Sequence, residues 1–154
     1  MTHAELVEIA GKWLQKKQRC NPVLTELSTH ACEYCDAIGW YDAYSTLIEC
    51  KTSRSDFKAD MKKPFRTHPW LGVGQERYYM APAGLLAVME MPEGWGLLEV
   101  DDAGTVTIKH GSTGFSEWNW RNEIRMMRSA LRRSKVTCVK GVCFVNEDEE
   151  ASNA

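Results

Sequence analysis

The chain has 154 residues, 44% of them hydrophobic and 26% charged, which fits one globular domain with its own core and excludes collagen-like or disordered architectures and a second independent core. Lys and Arg number 19 against 21 Asp and Glu, and the net charge of -2 at first argues against a nucleic-acid partner. Four of those acids, Glu147, Asp148, Glu149 and Glu150, form one block near the C-terminus, so 17 acids face 19 bases elsewhere and the body is weakly basic.

No apolar run approaches the ~18 residues a membrane span needs, and the N-terminus lacks a basic segment followed by an apolar signal core. The expectation is a cytoplasmic protein without membrane association, its six cysteines reduced.

Thr2 is placed to cap a first helix, with Glu5 at capping-box spacing and Leu6, Ile9, Ala10, Trp13 and Leu14 along one face. Asn21-Pro22 is expected to stop it, and Val23 to Leu27 reads as a first strand. Two β-like runs follow, Tyr34 to Trp40 and Ser45 to Thr52, separated by a four-residue loop at Tyr41-Asp42-Ala43-Tyr44. A symmetric register about that loop sets Asp36 opposite Glu49. Ser53 with Asp56 three residues later marks a second helix, which Pro64 is expected to end.

The Pro- and Gly-containing stretch from Phe65 to Gln75 reads as a loop, and Arg77 to Ala81 as a fourth strand. Trp95 to Val100 and Thr105 to His110 read as a late hairpin around Asp101-Asp102-Ala103-Gly104. From about Ser116 to Lys135 a long helix sets Trp120, Ile124, Met127 and Leu131 along one stripe, with Trp120 expected in the core. Arg121, Arg125, Arg128 and Arg132 form an adjacent stripe. Val136 to Val145 reads as a strand or hairpin. One domain over residues 1–145 and an acidic, disordered tail over 146–154 complete the expected organisation.

The most informative residues are Asp36 and Glu49-Cys50-Lys51. Strand side chains alternate between faces, so Glu49 and Lys51 project to one side and Cys50 to the other. Two carboxylates from adjacent strands supply hard oxygen ligands suited to Mg²⁺, which uses one or two protein carboxylates, several waters and substrate phosphate. A lysine beside them can orient an attacking water or stabilise charge on phosphorus oxygens. Metal-assisted phosphodiester hydrolysis is the chemistry these residue types suit.

The order helix, strand, strand with Asp36, strand with Glu49 and Lys51, helix, strand resembles the core of the PD-(D/E)XK nuclease superfamily over about residues 4 to 82. The runs Asp36-Ala37-Ile38-Gly39-Trp40, Ile48-Glu49-Cys50-Lys51-Thr52-Ser53 and Asp56-Phe57 look like a small bacterial and phage branch of it. The resemblance implies an α/β restriction endonuclease-like fold, an αβββαβ core with a mixed central sheet, to which the C-terminal hairpin and long basic helix are added. It implies a Mg²⁺- or Mn²⁺-dependent DNA endonuclease, with the metal on Asp36 and Glu49 and with Lys51 as the catalytic lysine. Cys35 stands where relatives often carry proline. Some members add an acid from the first helix, for which Glu5 is a better candidate than Glu8, with Glu26 of the first strand a competitor. Members that keep the fold can lose catalysis, so a non-catalytic nucleic-acid- or protein-binding module is the alternative.

Arg54, Lys58, Lys62, Lys63 and Arg66 are placed to extend a phosphate track, with the stripe of Arg121, Arg125, Arg128 and Arg132 as a second DNA-binding element, alternatively a solvated helix face. Trp118 and Trp120 are candidates for stacking on bases. A homodimer would extend the reach of so small a domain. Cys32 and Cys35 have zinc-like spacing, with Cys20, His30, Cys138 or Cys143 as possible completions, but there is no second Cys-x2-Cys and buried free thiols are the preferred reading. Tyr78, Tyr79 and Trp95 are assigned to sheet packing.

Overall fold

A computed structural model describes residues 1–27 and 34–134 in full, and residues 136–139 and 142–145 as backbone. A six-stranded mixed sheet lies at the centre, with helices on both faces. Helix α1, His3–Lys16, begins at the expected capping box: Thr2 accepts from the Glu5 backbone, and the Glu5 carboxylate accepts from the Thr2 backbone N–H. Its buried stripe of Leu6, Val7, Ala10, Trp13 and Leu14 packs on one face of the sheet.

The first three strands form an antiparallel meander: β1 at Val23–Thr25, β2 at Ala37–Tyr41 and β3 at Tyr44–Cys50. β1 is shorter than expected because Glu26 takes a left-handed backbone, φ 46°. The turn between β2 and β3 contains two residues, Asp42 and Ala43, instead of four; Asp42 adopts φ 52°, which lets Tyr41 and Tyr44 pair.

Helix α2, Arg54–Asp60, is capped by Ser53 as expected. Pro64 does not end it but opens a separate short helix, α3 at Pro64–Thr67, because proline's fixed φ and missing N–H suit a first helical turn. The expected loop from Phe65 therefore contains α3 and a 3₁₀ turn at Pro69–Leu71. The chain then enters β4, Glu76–Pro82, parallel to β3. β5, Trp95–Val100, is parallel to β4, and β6, Val106–His110, closes the sheet antiparallel to β5. The sheet order is β1-β2-β3-β4-β5-β6. Alternation along the strands makes two cores. Ala37, Ile48, Cys50, Tyr78, Met80, Leu98 and Val100 face α1; Ile38, Trp40, Leu47, Tyr79, Ala81, Trp95 and Leu97 face Phe57 of α2 and a residue of the last helix.

That last helix, α4 at Trp120–Arg133, starts at an Asn119 cap. Of the sequence stripe, Met127 packs partly buried against the core and the other three do not. Trp120, Ile124 and Leu131 are 48%, 55% and 57% exposed, while Asn122, Glu123 and Met126 are buried. Polar anchoring at the first turn overrides the apolar stripe: the buried Glu123 carboxylate accepts hydrogen bonds from Trp40 Nε1, Ser45 Oγ and the Gly74 backbone N–H at 2.8–2.9 Å. The expected core role of Trp120 is thus overturned, and its ring instead lies under the Arg121 guanidinium, 4.8 Å from its centroid. The final segment is a hairpin, β7 at Val136–Val139 and β8 at Val142–Val145. The tail at 146–154 lies outside the described residues.

Gly74 joins these parts. It has φ +83°, and a Cβ there would meet Leu47 Cβ at 2.5 Å and the Glu76 carbonyl at 3.0 Å. Gly74→Ala combines a left-handed backbone with overpacking against β3, and is expected to cost about 2–4 kcal/mol. Urea unfolding measures it, and a loss below about 0.5 kcal/mol would show that the loop relaxes freely.

Candidate active site

Asp36 precedes β2, and the β2–β3 register, ending at Ala37 opposite Ile48, sets it beside Glu49 as the sequence symmetry indicated. The placement is fixed by a hydrogen bond as well as by register. The Cys50 backbone N–H donates to Asp36 Oδ2 at 2.7 Å, so Asp36 is tied to the strand carrying Glu49. The Lys51 backbone N–H bonds to the Met80 carbonyl, which extends the β3–β4 pairing beyond Cys50. Glu49 and Lys51 share the face away from α1, and Lys51 Nζ lies 3.2 Å from Glu49 Oε2. Glu49 is 2% exposed and Lys51 4%, whereas Asp36 remains partly accessible. The structure therefore brings together the three residues singled out from the sequence.

It adds Asp60, which the sequence did not single out, together with Arg66, expected on a phosphate track, and Tyr79, expected only in sheet packing. Arg66 Nε donates to Asp60 Oδ2 at 2.7 Å and its NH2 to Oδ1 at 3.2 Å, while Tyr79 Oη donates to Oδ2 at 2.7 Å. Lys63 and Lys51 approach Asp60 Oδ1 at 2.6 Å and 3.5 Å. Arg66 also reaches Glu49 Oε1 at 3.4 Å. Among the described residues, two buried acids and two buried bases thus form a cluster beside Asp36, with half-buried Lys63 joining at Asp60. The sequence did carry a signal for Asp60, since it lies three residues after the core residue Phe57 on the same helix face. Arg66 had none: in a run of basic residues it reads as a surface phosphate contact, yet it is buried with its guanidinium 4.7 Å from the Trp95 ring centroid.

The electrostatics differ between the two buried acids. Burial pushes Glu49 up to about 7; Arg66 and Lys51 oppose the rise, and the charges of Asp36 and Asp60 add to it. Burial also acts to raise Asp60, but the Arg66 hydrogen bond and charge, helped by Lys51 and Lys63, outweigh it and hold that carboxyl well below the usual aspartate range. Lys51 loses from burial but gains more from Glu49, Asp60 and Asp36, so its ammonium stays protonated.

Other candidates fall outside this cluster. Glu5 is consumed by the α1 capping box, on a helix that packs against the opposite face of the sheet, so its proposed site role is withdrawn. Glu8 pairs with Lys12 on the α1 surface. Glu26 is exposed but stays at the edge of the site: its backbone N–H donates to the Asp36 carbonyl at 3.0 Å, and its carboxylate lies 3.9 Å from the His3 Nε2 that also meets Asp36. It is His3, not Glu5, that carries α1 to the site: its Nε2 is 3.3 Å from Asp36 Oδ1. Arg54, expected on DNA, is exposed and forms a salt bridge to Glu90 and a hydrogen bond to the Leu85 carbonyl. Lys58 and Lys62 are exposed, as are Arg121, Arg125, Arg128 and Arg132.

Cys20 and Cys35 lie buried in separate cores on opposite faces of the sheet, so they do not join one ligand set; Cys32 and His30 lie outside the described residues.

Among the described residues no group of three His, Cys, Asp or Glu side chains is gathered for a metal. A hard divalent cation that keeps its waters needs fewer. One oxygen of each motif carboxylate lacks a hydrogen bond from a backbone or side-chain donor of the cluster: Asp36 Oδ1 faces the His3 ring at 3.3 Å, and buried Glu49 Oε1 has no hydrogen-bond partner and meets Arg66 only as an ion pair at 3.4 Å. By chemistry and by this orphaned oxygen, the pair fits Mg²⁺ or Mn²⁺.

No family model and no curated protein matches the chain. A solved structure, the SPO1766 protein of unknown function from Silicibacter pomeroyi, is similar over 88% of this chain and 90% of that one, with a TM-score of 0.64 and 20% sequence identity. At that identity the likeness concerns the fold alone.

Proposed function

We propose that the protein is a metal-dependent deoxyribonuclease with a restriction endonuclease-like core of the PD-(D/E)XK type. The observation that carries this reading is the hydrogen bond from the Cys50 backbone to Asp36, which fixes one carboxylate beside the Glu49 and Lys51 side chains on a single sheet face. The antiparallel β1-β2-β3 meander and the helical connection into parallel β4 support it. Asp36 and Glu49 would hold the cation. A bound Mg²⁺ supplies polarisation of the phosphodiester and acidification of a water. Lys51, held protonated, donates hydrogen bonds to charge developing on the phosphate oxygens, and its burial strengthens that interaction. Incubation of duplex, single-stranded and branched DNA with Mg²⁺ or Mn²⁺ tests the reading, with cleavage above the Glu49→Ala and Lys51→Ala backgrounds as the expected result.

One observation favours a second reading, a DNA-binding module without catalysis. Glu49 is almost fully buried and already compensated by Lys51 and Arg66. DNA binding that persists in Asp36→Ala without divalent cation, together with no cleavage by wild type, would select it.

Both readings use the exposed arginines of α4 on the DNA backbone. Replacing Arg125 and Arg128 with glutamine is expected to weaken binding across all DNA sequences and to reduce the slope of log K against log salt by about 0.9 per lost phosphate contact. Fluorescence anisotropy over a salt series measures it; an unchanged slope would assign the stripe to solvent.

A further inference from the structure

We propose that Arg66 is the resident cation of this site: its guanidinium holds the place beside Glu49 Oε1 that a divalent cation takes, so that metal binding and the Arg66–Glu49 contact exclude one another. This rests on the metal-site reading above and specifies how that site is kept without metal.

The asymmetry of the Arg66 contacts carries the inference. Its fork grips Asp60 through two hydrogen bonds, at 2.7 Å and 3.2 Å, and its plane lies over Trp95 and Phe65. Toward Glu49 it offers only an ion-pair approach of 3.4 Å without hydrogen-bond geometry, and Glu49 Oε1 has no other hydrogen-bond donor. A guanidinium bound this way can yield Glu49 while keeping Asp60, so of its two acid contacts in the cluster exchange for a metal breaks the looser one. Lys51 meanwhile stays on the other oxygen, Oε2.

Charge then sets the affinity. Glu49 and Asp60 are already matched by Lys51 and Arg66, with half-buried Lys63 adding a further positive charge. Among the described residues, a divalent cation entering alone meets Lys51, Lys63 and Arg66 against Glu49 and Asp60, and the charge of Asp36 brings that balance to neutral without leaving a surplus acid for the cation. Bare metal therefore binds weakly, and an anionic phosphate arriving with it restores the balance. Arg66 would make the site one that loads metal and phosphodiester together.

Mn²⁺ titration of the full chain, followed by electron paramagnetic resonance of the free ion, tests this without relying on turnover. Arg66→Gln should tighten Mn²⁺ binding at least about tenfold, Arg66→Lys should leave it weak, and adding Glu49→Gln should abolish the gain. The double variant Asp60→Asn/Arg66→Gln removes both charges of the fork and guards against misfolding of the single change; circular dichroism verifies the fold. Equal or weaker Mn²⁺ binding in both Arg66→Gln proteins, with binding still dependent on Glu49, would overturn the role of Arg66 and leave the metal site standing. Failure of every folded variant to bind Mn²⁺ would overturn the metal site and this inference with it.

Discussion

Asp60→Ala is expected to destabilise the protein by about 3–5 kcal/mol, the cost of leaving buried partners without their counter-charge. One carboxylate here receives the Arg66 fork, the Tyr79 hydroxyl and the Lys63 and Lys51 ammonium groups, and the Arg66 and Lys51 side chains are 1% and 5% exposed. Water cannot replace the lost acid without opening the packing of Phe57, Tyr79 and Trp95 around it. Removing both members of the fork, as in Asp60→Leu/Arg66→Met, should recover part of the loss, since no buried guanidinium is left uncompensated while Tyr79, Lys51 and Lys63 still lack the acid. The pH dependence has a definite sign. Asp60 titrates lower in the folded than in the unfolded chain, so its stabilisation is complete above the ordinary aspartate value of 3.8 and fades as pH falls below it toward the folded-state value. Urea unfolding of wild type and Asp60→Asn between pH 3 and 7 should show the gap narrowing on the acid side. A loss below about 1 kcal/mol for Asp60→Ala would place this cluster with exposed ion pairs.

The sheet was legible in the sequence wherever one physical cue dominated. Capping chemistry at Thr2 and Ser53, alternation through Ile48-Glu49-Cys50 and turn residues at Asp101 to Gly104 each point to one local structure, and each appears there. Asp36 facing Glu49 followed from counting outward from a turn, and survived although the turn is two residues shorter than expected, because symmetric shortening preserves the register. Where two cues competed, the sequence misled. Pro64 can end one helix or start another, and the three residues after Asp60 decide the matter by turning the chain. On α4 the apolar stripe suggested the buried face, but Glu123, with three donors waiting on β2, β3 and the Gly74 loop, fixes the rotation of the helix. Arg66 was the least legible residue. Its role depends on a hydrogen-bonded acid six positions away and on a ring from β5, and no local pattern carries that information.

Removal of the motif side chains should separate stability from catalysis at a single position. Glu49→Gln keeps the shape of the side chain but not a charge able to hold a divalent cation. Metal-dependent cleavage is expected to fall at least about 10²-fold in Glu49→Gln and in Lys51→Ala, the scale of losing a positioned charge at the reacting phosphate. Stability should move the other way for Glu49. Its folded-state value is raised to about 7 from 4.5, so its contribution is fully present below 4.5 and is lost as pH rises through about 7. At pH 8 the charged carboxylate works against the fold, and Glu49→Gln should match or exceed wild type in Tm. A site built for packing would lose stability with its carboxylate, whereas one kept for a cation carries a buried acid that the fold alone would discard. Cleavage assays and thermal unfolding on the same preparations decide between them: an inactive Glu49→Gln protein with undiminished Tm marks an active site, and a Tm that falls with the substitution marks a structural ion pair.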